Sequence, residues 1–351
     1  MSKLNIPLLK RICETPGTSG FEQPIREVIL KELKGIADEV TVDSMGSIVA
    51  IKKGTSDKKV MVPAHMDEIG FIVTHIDENG FLRFHTLGGF DPKTLTSQRV
   101  IVHGKKDLIG VMGSKPLHVM TAEERNKVPQ IKDYFIDLGM TRDEVKKYIE
   151  VGNPVTRQRE LIEMGDCINC KSLDNRISVY ILIETLKELK GKKIPYDLYA
   201  VFTVQEEVGI RGAGLAAHYI DPDFGICIDT TIAYDVPGNS GYDRITELGK
   251  GTAIKIMDTS VISDYRMVEF MKQTASKNKI KYQLEILTGG GTDAAGIQKM
   301  AKSGAIVGAV SVPTRHIHQV IETCHNEDIR GSIDLLKASI SSLDKFDWSF
   351  K

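Results

Sequence analysis

The chain has 351 residues, 41% hydrophobic and 26% charged, a balance that supports a sizeable core and excludes a disordered protein. Its 46 basic and 47 acidic residues leave a net charge of −1, so no global field points to nucleic acid or an anionic membrane. No apolar run approaches the ~18–20 residues that cross a bilayer.

The N-terminus does not read as a signal peptide, because Lys3, Lys10, Arg11 and Glu14 interrupt any apolar stretch, and the default address is cytoplasmic. Apolar residues at helical spacing predict a helix over 5–13, broken by Thr15-Pro16-Gly17-Thr18-Ser19-Gly20. A second amphipathic helix over 23–33 places Ile25, Val28, Ile29 and Leu33 on one face. Short strands are expected at 40–42 and 47–52, then an apolar strand over 59–64 that ends at His65.

Between Gly70 and Gly165 the pattern changes to short alternating runs separated by glycine turns, at 71–76, 81–84, 99–103 and 108–112. That spacing predicts a small β-barrel or sandwich. Thr121 with Glu124, and Thr141 with Glu144, match capping boxes that open short helices within it. Cys167 and Cys170 form a CxxC, but no second ligand pair follows for zinc, and the alternation around them suits an edge strand.

From Ser172 onward helices and strands alternate: helix 175–189, strand 197–204, helix 211–218, strand 225–228, helix 264–278, strand 282–286, helix 294–303, strand 305–312 and helix 328–343. The order predicts an α/β fold, an open sheet with helices on both faces. The β-rich segment then interrupts one domain. The expected division is 1–68 with 167–351 as the α/β domain and 69–166 as the insertion.

Ligand-type residues fall where such sheets build their sites, at the carboxyl ends of strands. His65 and Asp67 follow 59–64, Glu206 and Glu207 follow 197–204, Asp229 ends 225–228, and His318 lies beyond 305–312. Each has a bland reading taken singly: a surface histidine, a solvated Glu-Glu turn, a helix cap for Asp174. A cap does not explain why each neighbouring strand ends in a ligand. Zinc-like ions take imidazole nitrogen and carboxylate oxygen. Two ions about 3.5–4 Å apart call for a shared carboxylate, and a further carboxylate must move the proton. Glu206 and Glu207 can divide those tasks, because successive side chains point in different directions.

Seven segments carry a resemblance: Ala64-His65-Met66-Asp67-Glu68-Ile69-Gly70, Gly113-Ser114-Lys115-Pro116, Ser172-Leu173-Asp174-Asn175-Arg176, Gln205-Glu206-Glu207-Val208-Gly209, Asp229-Thr230, Gly289-Gly290-Gly291-Thr292-Asp293 and Arg315-His316-Ile317-His318. In this order they resemble the M42 family of metallopeptidases, the tetrahedral and glutamyl aminopeptidases. The resemblance implies two divalent metal ions, Zn or Co with Mn also suited to such ligands. His65 and Asp229 would hold one ion and Glu207 and His318 the other, with Asp174 between them. Glu206 would be the general base and acid, and Asp67 would orient His65. Thr292 and Asp293, in a glycine loop that lacks the residues of a P-loop, become candidate substrate contacts.

The implied activity is removal of N-terminal residues from short peptides with a free N-terminus, by metal-hydroxide attack. The implied assembly is a homo-oligomer, with the β-rich insertion forming dimers that build a hollow dodecamer. Many relatives carry Tyr where this chain has His316. On an extended segment His316 and His318 would face the same side, which makes His316 a rival ligand. The other histidines, His75, His85, His103, His118, His218 and His325, lie in the insertion or away from strand ends. Related two-metal folds cleave N-acyl amino acids, and some close relatives are described as endoglucanases. A glycosidase needs two carboxylates flanking the sugar bond rather than a histidine-rich site. A non-catalytic scaffold would have lost a ligand or the base, and none of the seven site positions is lost.

Overall fold

The computed structural model describes residues 3–350. Helix α1 (Ile6–Glu14) opens on Asn5, whose side chain accepts the Leu8 N–H, and buries Leu8, Leu9, Ile12 and Cys13. Helix α2 (Gln23–Glu32) buries Ile25 and Ile29. Strands β1 (Glu39–Val42), β2 (Ile48–Lys52) and β3 (Ser56–His65) follow, and β3 ends on His65 as expected.

The insertion closes into a barrel. Its strands are β4 (Gly70–Ile76), β5 (Leu82–Leu87), β6 (Arg99–His103), β7 (Asp107–Gly113), β8 (Phe135–Asp137) and β9 (Pro154–Arg157), joined in the order β4-β5-β8-β7-β6-β9. Alternate residues such as Phe71, Val73, Val100, Val102 and Val155 fill its interior. The one-turn helices α3 (Ala122–Arg125) and α4 (Arg142–Val145) start where the capping boxes stand. The Thr121 N–H, for example, donates to Glu124 Oε2 at 2.8 Å.

The chain then re-enters the large sheet through β10 (Ile162–Met164) and β11 (Cys167–Cys170). Strand β11 is flanked by a partner on each side, so the CxxC lies inside the sheet and not on its edge. The next elements are α5 (Leu173–Leu189), β12 (Tyr196–Thr203), α6 (Arg211–Ile220), β13 (Phe224–Ile232), β14 (Thr252–Met257), α7 (Tyr265–Lys277) and β15 (Tyr282–Ile286). Helix α8 (Asp293–Met300), β16 (Ile306–Arg315), β17 (Glu322–His325) and α9 (Asn326–Ile340) complete the order.

The large sheet runs β1-β2-β12-β3-β13-β16-β17-β11-β10, with β14 and β15 branching from β16. Its central strands β12, β3, β13 and β16 are parallel. Period-two alternation divides them between two cores. Val60, Val62, Leu198, Ala200, Ile226, Ile228 and Val310 face the layer of α1, α2, α5, α7 and α9, while Met61, Val201, Cys227 and Ala309 face α6 and α8. Close approach of α6 to α8 depends on Gly296, where an added Cβ would sit 2.9 Å from the Gly214 nitrogen. No helix among the described residues is long and apolar enough to cross a membrane.

Strands β14 and β17 escape the periodicity reading. Each carries a charged residue that is nevertheless buried, Lys255 and Glu322. Strand β13 extends past its predicted end at 228, because β16 continues to pair with it as far as Ile232 opposite Thr314.

Candidate functional site

The crevice forms where β3 and β13 part. Their ladder pairs Phe224 with Val60 and Gly225 with Met61, whereas β13 stays paired with β16 to its end. The Ile228 carbonyl on the parting side is satisfied by the Asn175 amide at 3.1 Å. Asp229 thus projects from the middle of β13 into the gap, opposite His65 at the end of β3.

Asp174 reaches the gap from the start of α5, where its own φ of −75° and ψ of 107° and those of Asn175 lie outside the helical range. Its main-chain N–H donates to Glu322 Oε2 at 2.8 Å. The two oxygens of Asp174 face two histidines: Oδ1 is 3.4 Å from His65 Nε2, and Oδ2 is 3.3 Å from His318 Nε2. His65 Nε2 also lies 3.8 Å from Asp229 Oδ1 and 3.8 Å from Glu206 Oε2. His318 Nε2 lies 3.2 Å from Glu207 Oε2. Two triads result, His65–Asp174–Asp229 and Asp174–Glu207–His318, each with ligand atoms within 4.8 Å of one another.

Asp67 supports this arrangement from behind. Its Oδ1 accepts the Glu206 N–H at 3.0 Å and faces His65 Nδ1 at 3.3 Å; its Oδ2 accepts the Glu207 N–H at 3.2 Å and the Ser19 hydroxyl at 2.6 Å. The Asp67 carbonyl also lies 3.1 Å from His65 Nδ1. A further layer consists of buried charges. Glu68 takes Lys171 Nζ at 2.6 and 2.7 Å, with Arg176 at 3.6 Å and Arg157 at 3.8 Å.

Electrostatics show a site short of positive charge. Burial pushes Glu206 and Asp229 well above their ordinary carboxylate range, and neighbouring carboxylates add to the effect. Burial raises Glu207 as well, and its buried Oε1 has no hydrogen-bond partner. Burial opposes a charge on His318, but Glu207 and Asp174 carry it up to about 11. Burial likewise opposes ionisation of Asp174, which its bonds to His318 and His65 still hold well below the usual value. Buried carboxylates in this number call for a compensating cation. Imidazole nitrogen and carboxylate oxygen are the donors that divalent transition ions take.

A cavity of about 470 Å³ opens onto both triads, walled by Ile210, Leu287, Ile317 and Thr292. Residues 46–335 match the family model described as M42 glutamyl aminopeptidase.

The chain belongs to the M42 family. It is a metal-dependent aminopeptidase, a hydrolase of peptide bonds. It is similar to the lysyl aminopeptidase of Pyrococcus furiosus, 34% identical with 97% of this chain and 98% of that one covered. Among solved structures it resembles the TET aminopeptidase of a marine-sediment archaeon, Thaumarchaeota archaeon SCGC AB-539-E09, with a TM-score of 0.93, 36% identity and 96% of each chain covered. It also resembles the Pyrococcus horikoshii TET1 peptidase, described as assembling into a tetrahedron or a large octahedral shell, with a TM-score of 0.85, 32% identity, and 95% of this chain and 98% of that one covered.

In this M42 chain the candidates named from sequence, His65, Asp174, Glu206, Glu207, Asp229 and His318, converge on one cavity. Thr292 lines it too. Asp293 does not; it is buried and takes the Thr203 hydroxyl. His316 is exposed and stands outside the cavity. The two histidines do not face the same side, because β16 ends at Arg315 and both take left-handed φ, 64° at His316 and 59° at His318. Reading the sequence did not identify Arg157 or Glu322, which lie outside every motif, and gave no role to Asn175, which lies inside one. Glu68 lies within a motif and Lys171 directly before one, but nothing in sequence marks them as buried.

Proposed function

We propose that this aminopeptidase holds two divalent cations side by side and removes N-terminal residues from short peptides. One observation carries the reading: the two oxygens of Asp174 face His65 and His318 separately, at 3.4 and 3.3 Å. His65, Asp229 and Asp174 would hold one ion; Asp174, Glu207 and His318 would hold the other. Zn and Co suit these donors best, and Mn also fits. Ions bound there supply Lewis acidity to the scissile carbonyl and lower the pKa of water toward neutrality.

The chain's own residues do the rest. Glu206 stands beside the ligands without belonging to either triad. Its carboxylate oxygen takes the proton from the attacking water and passes it to the departing amine. Asp67 holds the Glu206 and Glu207 main chain and fixes the His65 ring, as carboxylates behind metal-bound histidines do. Thr292 meets substrate from the cavity wall. Asp293, set behind that wall, supports the loop rather than the substrate.

Assembly follows the same reasoning. The horikoshii relative forms shells, and we extend a homo-oligomeric shell to this chain, dodecameric and joined in dimers through the barrel segment 69–166. Its five cysteines are free thiols, which suits a reducing compartment, and we place the activity in the cytoplasm.

The test is a panel of aminoacyl-anilides given to chelated protein before and after adding back Zn, Co or Mn. Metal-dependent release from one residue class is expected, with N-acetyl amino acids and carboxymethyl-cellulose left intact. Silence across the anilides with cleavage of an N-acetyl substrate would refute it.

A further inference from the structure

The barrel touches the site at two places, and both reach the residues of the triad that contains His318. The first is Arg157, the last residue of β9 and only 2% exposed. Its Nη1 donates to the Gln319 carbonyl, next to His318, and lies 3.8 Å from Glu322 Oε1. Glu322 in turn holds the Asp174 N–H. One guanidinium from the insertion therefore ties down the loop that carries His318 and, through Glu322, the backbone of Asp174.

The second place is the glycine pair after β5. A Cβ on Gly88 would lie 3.3 Å from Glu207 Cβ, and one on Gly89 would lie 3.3 Å from His318 Nδ1. The barrel backbone thus comes within contact distance of both remaining ligands of the second triad. His65 and Asp229 are backed differently. Asp67 and Ser19 stand behind His65, and Asp229 Oδ1 takes the Thr230 N–H at 2.8 Å. No barrel residue takes part in either support.

The loop itself explains why outside support matters. Left-handed φ at His316 and His318 is a conformation that non-glycine residues keep only where the surroundings impose it.

We propose that the inserted barrel, through Arg157 and the Gly88–Gly89 turn, is a structural part of the Asp174–Glu207–His318 half of the cation site, and that it positions His318 in particular. Arg157 is a positioning residue; it touches neither ion nor substrate. The inference rests on the two-cation reading above and gives the barrel a task beyond assembly.

The experiment is titration of the full metal-free chain with Co(II), followed by its visible absorption and by calorimetry. The variants are Arg157→Met, Arg157→Lys and Gly89→Ala. Wild type takes up two ions. In Arg157→Met the second ion binds about 10–100-fold more weakly, the usual cost of losing an outer support, and the first, which shares only Asp174 with it, weakens less; Arg157→Lys recovers part of the loss. Gly89 is exposed, so Gly89→Ala folds normally and keeps the test valid if Arg157→Met does not. Its methyl displaces the imidazole and alters the absorption of the second ion alone. Equal weakening of both ions in Gly89→Ala, or two unaltered ions in both it and Arg157→Met, overturns the inference and leaves the two-cation reading standing. A wild-type chain that takes up one ion overturns both.

Discussion

Replacing Asp67 with Asn removes one charge and turns one oxygen into a donor, at a carboxylate that four groups approach. Placed at Oδ1, the new NH₂ would oppose the Glu206 N–H and His65 Nδ1; placed at Oδ2, it would oppose the Glu207 N–H and the Ser19 hydroxyl. The hydroxyl can rotate and accept, so the second orientation is the cheaper one. It still leaves the Glu207 N–H unpaired in a buried place, at about 1–3 kcal/mol. Loss of the negative charge behind His65 adds a fall in metal affinity of roughly 10–100-fold, or about 1.4–2.8 kcal/mol. The expected variant therefore folds, unfolds at lower temperature, and shows kcat/KM reduced about 10–100-fold unless metal is in excess. Anilide turnover across a metal-buffer series separates the two effects, since excess metal restores affinity but not the Glu207 anchor. Turnover within twofold of wild type at limiting metal would refute the reasoning.

Other consequences can be checked more directly. Glu206→Gln should keep its metal content and lose at least about a hundredfold in kcat; retained turnover would remove Glu206 from its role. Lys171→Met leaves Glu68 buried with its nearest partner gone, and chemical unfolding should register a loss of about 3–5 kcal/mol. A loss under 1 kcal/mol would show that Arg176 and Arg157 already suffice. Gly296→Val forces α6 and α8 apart and should cost about 1–3 kcal/mol, with an unchanged melting temperature counting against the close packing. Burial works against a charge on Asp235, but Arg315 and the Leu248 N–H outweigh it and hold the carboxyl below its ordinary value. The pair's contribution is thus full above an unfolded pKa of about 3.9 and is lost as pH falls through the lower folded value. The stability gap between wild type and Asp235→Asn should close along the acid limb; a constant gap would exclude this ion pair as its source.

How much of this was readable beforehand depends on which force placed each residue. Strand ends are marked by where apolar alternation stops, so His65 and Glu206–Glu207 could be located from pattern. Asp229 was harder. The run 229–231 is polar yet buried, at 4%, 7% and 1% exposure, so the apolar pattern stops before the strand does. The same confusion hid β14 and β17, where Lys255 and Glu322 sit at 0% exposure inside strands. Pattern reading equates charge with solvent, and near this site the equation fails.

The expectation that His316 and His318 face the same side failed for a different reason, and it bears on the whole site. Alternation predicts side-chain direction only while the backbone stays extended, and β16 stops at Arg315. What turns His318 inward lies far away in sequence: Arg157 bonds to Gln319 across 162 positions, and Glu322 to Asp174 across 148. Lys171 meets Glu68 across 103. Pairs at such separations, one of them reaching across from the barrel, leave no local trace even where one partner lies in a motif. Ligand identity can therefore be legible in a single chain while ligand placement is not. Placement here depends on buried charges whose partners meet only in the folded chain, Arg157 of the barrel among them.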